Sequence, residues 1–357
     1  MNRKRKSSTI LISILLLFFF LVFGIFVYLI TRPSELEGAL EKIPRCNDIT
    51  ELEDLWRSYP NLHDSTLATP IRNRILQLDA DSFQIAKALQ FLPQRPKYIN
   101  LIIVPDLSRR IIDTLNNPNQ VASDKKILEV IYQGFKNRVK FKGKTKDRLL
   151  VDLTDGDQAA GRFRSIADSL LFDPYAAPDF VNRKYFDRKV GTFPKYIDSL
   201  YSLALEKPLG ADYHIYFSRE LQYHLKKSDI YEEYRNIVLI ITDGYLEAEH
   251  KLYTGATHQL SKVCRDRNYG MTLEASIDSA KIWIPPVSES FLETEVYLFE
   301  ITERKIGKNC DFDILRMQWK RWLSGMGIKN VNNPFFFQRE NAKAHIVDRI
   351  NQILSLK

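Results

Sequence analysis

The 357-residue sequence lacks the motifs of the common nucleotide-dependent and hydrolytic enzymes. It has no P-loop, no Gly-x-Gly-x-x-Gly turn and no Gly-x-Ser-x-Gly elbow, so neither nucleotide-dependent chemistry nor serine hydrolysis has support. Six histidines are present, and none forms a His-Glu-x-x-His motif or another metal-ligand spacing. No internal repeat or low-complexity tract is visible, so the chain must be interpreted from its hydrophobic pattern and its polar clusters.

Cysteine is scarce as well. The three cysteines, Cys46, Cys264 and Cys310, include no Cys-x-x-Cys pair of the kind that zinc and redox sites use. A disulfide between Cys264 and Cys310 would suit an oxidising compartment, whereas scattered cysteines are more often ordinary core residues. Both interpretations are open at the level of the sequence.

Charge is absent from one long segment near the amino terminus. After Arg3-Lys4-Arg5-Lys6 the next charged residue is Arg32. The stretch from Ile10 to Ile30 is long enough to cross a bilayer, which takes about 20 apolar residues, and no signal-peptide cleavage site follows it. We therefore predict a basic tail at residues 1–9 and a transmembrane helix at 10–31. The basic tail favours a cytoplasmic amino terminus and a main domain outside the cytoplasm, in the periplasm if the source is a diderm bacterium.

The net positive charge of the chain is small once the basic tail is set aside. Four of the positive charges behind the net charge of +8 lie in the tail, which leaves about +4 for the rest of the chain. The locally basic run Lys136–Lys146 is better explained as a helix end with a solvated loop than as a binding patch. We therefore expect no nucleic-acid partner.

The hydrophobic pattern divides the remaining chain into two parts. Residues 32–97 have helical, partly amphipathic patterns and predict a short helical stalk. In residues 98–357, apolar strand-like runs alternate with amphipathic helices, which predicts an α/β fold of the Rossmann-like, doubly wound class with a mostly parallel sheet and insertions. The principal predicted strands are 100–104, 148–153, 237–242 and 295–302. Residues 172–190 are predicted to be irregular, and 212–217 suit either a strand or a helix.

Two of the apolar runs end in an acidic residue. Ile99–Val104 leads into Pro105-Asp106-Leu107-Ser108, and Ile237–Ile241 leads into Thr242-Asp243-Gly244. Apolar runs of this kind are typical of strands buried on both faces, and ligands of open α/β sheets bind outside the carboxyl ends of such strands. Carboxylates and hydroxyls at that edge are the oxygen ligands that hard divalent cations prefer.

In these residues the chain resembles the von Willebrand factor A-type (vWA) domain family, whose first strand ends in Asp-x-Ser-x-Ser and whose fourth ends in Thr-Asp-Gly. Asp106 and Ser108 match the first two positions of the first motif, and Asp243 matches the late Asp. Thr192, which we predict to open a helix reaching Glu206, is the candidate for the loop Thr of the family. The resemblance implies that Asp106, Ser108, Thr192 and Asp243 would bind Mg²⁺ or Mn²⁺ and leave one position open to a carboxylate of a partner protein.

The motif is degenerate, because Arg110 stands where the second Ser of the family pattern should be. A guanidinium donates hydrogen bonds but cannot ligate a metal. Two outcomes are open. Arg110 swings away and leaves a weaker ion site, or it pairs with Asp106 or Asp243 and replaces the ion with a salt bridge.

These observations predict a membrane-anchored, non-enzymatic module for protein–protein recognition or assembly. Two alternatives remain: a metal-dependent phosphoesterase or nuclease that uses the acids at positions 106, 152, 155 and 243, and a structural subunit with an inactive ion site. Trp319 and Trp322 suit a helix that packs into the core, and exposure of the pair would instead mark a docking surface.

Overall fold

The computed structural model describes residues 34–63, 65–93, 97–113, 118–140, 142, 145–154, 159–176, 183–229, 232–248, 251–252, 257–285, 287–303, 310–331 and 336–355. The chain divides into two compact units, Met1–Pro96 and Lys97–Lys357. The predicted basic tail and transmembrane helix lie outside the described residues. Within the described ranges, no helix is both long enough and apolar enough to cross a bilayer.

The first unit is helical. Its helices are α1 (Glu35–Lys42), α2 (Ile49–Ser58), α3 (Ser65–Gln77) and α4 (Ser82–Ala88), with single 3₁₀ turns at Ile43–Arg45, Pro60–Leu62 and Leu89–Phe91. Side chains that accept hydrogen bonds from the first turn fix where three of these helices begin, because the first amides of a helix have no partner inside it. Ser34 and Asp81 form capping boxes with Glu37 and Gln84, and Asp48 caps α2.

A hydrophobic core of its own holds the first unit together. Its buried members include Leu52, Trp56, Leu67, Ile71 and Ile75. The ring of His63 stacks on Trp56 with 4.1 Å between ring centroids, so the segment after α2 packs back on that helix. The predicted stalk is therefore a packed helical unit.

The second unit is built on a parallel sheet. Its strands are β1 (Lys97–Pro105), β2 (Arg148–Val151), β3 (Glu233–Ile241), β4 (Glu247–Ala248), β5 (Lys251–Leu252), β6 (Thr294–Ile301) and β7 (Phe336–Gln338). Five of them form one sheet in the order β2-β1-β3-β6-β7, and each neighbouring pair is parallel. The short strands β4 and β5 form a separate antiparallel pair. The predicted α/β class with a parallel sheet is confirmed.

Helices surround this sheet. They are α5 (Gln120–Val139), α6 (Arg162–Leu170), α7 (Arg183–Glu206), α8, α9 (Thr257–Asn268), α10 (Leu273–Ala280), α11 (Asp311–Gly325) and α12 (Arg339–Leu354). Helix α8 consists of Tyr213–Ile215, the π-helical turn Tyr216–Glu220 and Leu221–His224. Alternate residues of β1 enter opposite cores: Leu101 and Ile103 pack with α5, α6, α7 and α12, whereas Ile102 and Val104 pack with α8 to α11. This alternation explains why the central strands are apolar throughout.

Three features differ from, or decide between, the sequence interpretations. Helix α7 begins at Arg183, so part of the stretch predicted to be irregular is helical, and residues 213–217 are helical as well. Trp319 and Trp322 are buried, with exposed fractions of 0% and 3%, and the two indoles are in edge contact. They are core residues, and the docking interpretation of the pair is wrong.

The structure also describes the contacts of the cysteine pair and of the basic run Lys136–Lys146. Cys264 and Cys310 form a disulfide with 5.6 Å between their Cα atoms. In the basic run, Arg138 and Lys142 both pair with the buried carboxylate of Asp147, and Lys146 pairs with Glu232. Much of its charge is therefore neutralised inside the domain.

Candidate functional site

The carboxyl ends of β1 and β3 bring the two acidic motifs together. Pro105 pairs with Ile241 in the sheet, so the residues that follow each strand are neighbours. The hydroxyl of Thr242 donates to Oδ2 of Asp106 at 2.8 Å, and the amide of Ser108 donates to Oδ1 of the same carboxylate at 3.0 Å. Both Asp106 and Asp243 are buried. The arrangement expected from the two motifs is thus present on adjacent strands.

Arg110 occupies the centre of this acidic group. Its Nε lies 3.2 Å from Oδ2 of Asp106, and its side chain is 1% exposed. Its Nη2 donates to Oδ2 of Asp124 at 2.7 Å and to the carbonyl of Ile241 at 3.0 Å. Burial disfavours the charged guanidinium, but the carboxylates of Asp124, Asp106 and Asp243 outweigh it and raise the pKa of Arg110. The side chain is therefore a fixed cation within the acidic group.

Asp124 belongs to the site although neither motif contains it. It lies on the buried face of α5, where Gln120 Nε2 donates to its Oδ1 at 2.7 Å and the hydroxyl of Tyr201 lies 3.2 Å from its Oδ2. One signal in the sequence could have identified it. Asp124 shares the helical stripe of Ile127, Leu128 and Ile131, and an acid on a stripe that faces the core needs a partner.

A second buried ion pair adjoins the first. Glu300 follows the last regular pairs of β6, is fully buried and has a φ of +72°, a conformation that residues other than glycine rarely adopt. Its carboxylate lies 3.3 Å from Nε of Arg339 on α12 and accepts from Ser123 Oγ at 3.0 Å. The amide of Gln120 donates to both Asp124 and Glu300, so the two pairs form one network.

The ionisation of Asp124 is expected to make the stability of the fold depend on pH. Burial raises its pKa from 3.8 to about 6; Arg110 opposes this shift, and Glu300 and Asp106 reinforce it. Because the pKa of Asp124 is higher in the folded than in the unfolded state, its protonation stabilises the folded state. This contribution to the free energy of unfolding is fully present below about pH 4 and is lost as the pH rises through about 6. The free energy of unfolding of the wild type minus that of Asp124→Asn should therefore fall by about 2 kcal/mol between pH 4 and pH 7. Urea titrations of both proteins across this range measure the difference. A difference that rises with pH would mean that Arg110 keeps Asp124 ionised throughout.

The four residues predicted to bind metal do not all meet. Asp106, Ser108 and Asp243 lie at the same edge of the sheet, and the hydroxyl of Ser108 faces the amide of Arg110. Thr192 lies inside α7, where its hydroxyl donates to the carbonyl of Arg188 at 3.0 Å. On the same helix Tyr201 reaches the site, about 13 Å further along the axis at 1.5 Å per residue. The assignment of Thr192 to the site remains a prediction that its contacts do not support.

The second acidic cluster is only partly described, because Asp155 lies outside the described residues. Asp152 is buried at the end of β2, where its carboxylate accepts from the hydroxyl of Tyr216 at 2.9 Å and lies 3.0 Å from Nε2 of His224. Arg164 approaches it to 3.4 Å. Among the described residues, no three or more His, Cys, Asp or Glu side chains are grouped so that they could hold a metal ion.

Comparison with known proteins adds no relative: no protein-family model matches the chain, and no curated protein sequence matches it significantly.

Proposed function

We propose that the chain is a membrane-anchored recognition or assembly module, similar to a vWA domain, in which Arg110 takes the place of the divalent ion. The single observation that carries the proposal is the contact of one buried guanidinium with both Asp106 and Asp124. Residues 10–31 would anchor the module, and tethering would raise its effective concentration toward other membrane components.

Support for the vWA resemblance comes from the neighbouring strand ends. Asp106 and the Thr242-Asp243-Gly244 sequence are distant in the chain, yet the hydroxyl of Thr242 bonds directly to Asp106. Gly244 has a φ of +92°, and a Cβ there would lie 2.8 Å from Cδ1 of Ile301. The glycine is thus required both by the turn and by the close packing against β6.

The residues at this edge fit a guanidinium better than a magnesium ion. Mg²⁺ needs near-octahedral oxygen ligands at about 2.0–2.1 Å, and a second cation in contact with the same carboxylates would repel it. The oxygens of Asp106 already accept from Thr242 and Ser108 and contact Arg110. No step of the proposed function therefore depends on a bound metal.

The disulfide between Cys264 and Cys310 supports a domain outside the cytoplasm, since disulfides persist mainly in oxidising compartments. The basic tail favours the same orientation. The module would then meet its partner protein outside the cytoplasm, close to the membrane surface.

The enzymatic alternative has less support. A two-metal hydrolase needs several free carboxylates within a few ångströms of two ions. Asp106 and Asp152 follow neighbouring strands, but neither carboxylate is free. Arg110 contacts Asp106, and both Tyr216 and His224 contact Asp152. We therefore propose no catalytic activity.

Metal dependence provides the direct test. The full chain in detergent is expected to have the same thermal unfolding midpoint in Mg²⁺ or Mn²⁺ as in EDTA, because a ligand raises the midpoint only if it binds the folded state. Arg110→Ser, which restores the missing motif position, is expected to be less stable and to gain a metal-dependent rise.

The result that would overturn the proposal is a metal-dependent rise in the wild type that Asp243→Ala abolishes. Such a result would show that an ion binds beside Arg110. If Arg110→Ser does not fold, the comparison between the wild type and Asp243→Ala still decides the question.

A further inference from the structure

A cavity of about 430 Å³ lies at the amino ends of the central strands, at the opposite edge of the sheet from Asp106 and Asp243. Lys97 and Glu233, the first residues of β1 and β3, line it together with Glu293, which directly precedes β6. Every residue of its lining belongs to the second unit. Cavities of about 300–1,000 Å³ are typical of small-molecule sites, so the size suits an organic molecule of low molecular weight.

A buried ion pair orders one wall of the cavity. The guanidinium of Arg235 contacts both carboxylate oxygens of Glu295, at 2.5 and 2.6 Å, and the hydroxyl of Tyr297 donates to Glu295 at 2.8 Å. Nη1 of Arg235 also donates to the carbonyls of Ile353 and Ser355 at the end of α12. A wall that is fixed before binding reduces the conformational entropy that a ligand costs.

An apolar surface adjoins this polar wall. Phe337 of β7 and Tyr297 of β6 both line the cavity, both are buried, and their rings are stacked with 6.2 Å between centroids. Ile353 of α12 is a third buried residue of the lining. Ligand pockets combine apolar and aromatic walls with a few placed polar groups. The cavity therefore has room for an apolar side chain next to charged groups.

Two charged side chains of the lining remain without an ion-pair partner. The other four charged residues form two pairs, whereas Glu293 and Lys329 form no ion pair in the part of the chain that the structure describes. Both are exposed. The amide of Lys329 donates to the carbonyl of Thr294 at 3.1 Å, so the backbones that carry the two charges are neighbours. The cavity thus presents one negative and one positive group to a ligand.

We propose that this cavity binds a zwitterionic ligand of the amino-acid class, either a free amino acid or a dipeptide with an apolar side chain. Its ammonium group bonds to Glu293, its carboxylate bonds to Lys329, and its side chain packs on Phe337 and Tyr297. Charge-assisted hydrogen bonds at both ends fix the orientation of the ligand. A ligand with a single charge would leave one of the two protein charges partly desolvated and unpaired. The site lies away from the acidic edge of the sheet and does not depend on the proposed function.

Related probes test the proposal by isothermal titration calorimetry on the full chain in detergent. L-phenylalanine and the dipeptide alanyl-phenylalanine carry both charges, 3-phenylpropionate lacks the ammonium group, and 2-phenylethylamine lacks the carboxylate. We expect at least one zwitterion to bind with a dissociation constant below about 1 mM. Each singly charged probe should bind at least about tenfold more weakly, because it loses one charge-assisted contact.

Two neutralising variants assign the two ends of the ligand. Glu293→Gln should remove the preference for the zwitterion over 3-phenylpropionate, and Lys329→Gln should remove the preference over 2-phenylethylamine. Glu340→Gln is the matched control, because Glu340 is an exposed carboxylate of α12 outside the cavity lining, and it should leave all affinities unchanged. Equal unfolding midpoints of the variants and the wild type confirm that each folds.

Three outcomes would overturn the site. They are the absence of binding by both zwitterions at millimolar concentrations, equal affinities of the wild type for zwitterionic and singly charged probes, and zwitterion binding that neither neutralising variant weakens. None of them bears on the acidic edge of the sheet, so the proposed function is tested separately by its metal dependence.

Discussion

Replacing Arg110 by Ala is expected to lower the free energy of unfolding by about 3–5 kcal/mol at pH 7, the usual cost of removing one partner from a buried ion pair. The substitution leaves Asp106 and Asp124 buried without the guanidinium that contacts them. Bulk water cannot solvate these carboxylates, so the folded state must either carry the unpaired charge or take up a proton. Urea denaturation monitored by tryptophan fluorescence measures the loss.

Two comparisons make this prediction specific. Arg109→Ala removes the neighbouring, exposed guanidinium and should change stability by no more than about 0.5 kcal/mol. Adding Asp124→Asn to Arg110→Ala should recover part of the loss, because it removes one of the two stranded charges. An Arg110→Ala protein within about 1 kcal/mol of the wild type would mean that the bridge contributes little to the fold.

Removing the disulfide is expected to have the second-largest effect. Cys264 and Cys310 are 46 residues apart, and a cross-link of that span restricts the unfolded chain by an amount worth about 3 to 4 kcal/mol. The double variant Cys264→Ser with Cys310→Ser should therefore unfold at a correspondingly lower urea concentration than the oxidised wild type.

A reductant is the matched control for the disulfide. It should bring the wild type close to the double variant and should leave the double variant itself unchanged, because the cysteine that remains, Cys46, has no disulfide. Equal stability of the oxidised and reduced wild type would contradict the prediction.

The sheet and its acidic edge could be predicted because their signals are local. Continuous apolar runs identified the central strands, and Asp106 and Asp243 each directly follow one. Parallel strands place their carboxyl ends at one edge, so the proximity of the two motifs followed from strand pairing alone. Asp124 and Glu300 could not be predicted in the same way. They reach the site from α5 and from the irregular end of β6, and no sequence motif links these two segments to the strand ends.

The position of Thr192 shows where local signals mislead. Gly191 and Pro194 are residues that usually mark a helix boundary. In the structure α7 continues through both residues. Its side chains Phe193, Ile197 and Tyr201 are buried in the hydrophobic core that α7 shares with the sheet. Tertiary packing of this apolar face offsets the hydrogen bond that a proline removes from a helix.

The contact between Arg110 and Asp124 also makes the arginine difficult to lose in evolution. A single mutation that placed serine at position 110 would leave Asp124 facing Glu300 and Asp106 without the cation that contacts it. Loss of the arginine would therefore pass through a destabilised intermediate unless position 124 changed first. Changing Asp124 first would in turn leave Arg110 with one carboxylate contact fewer, so descendants of this chain are expected to keep or replace the two residues together.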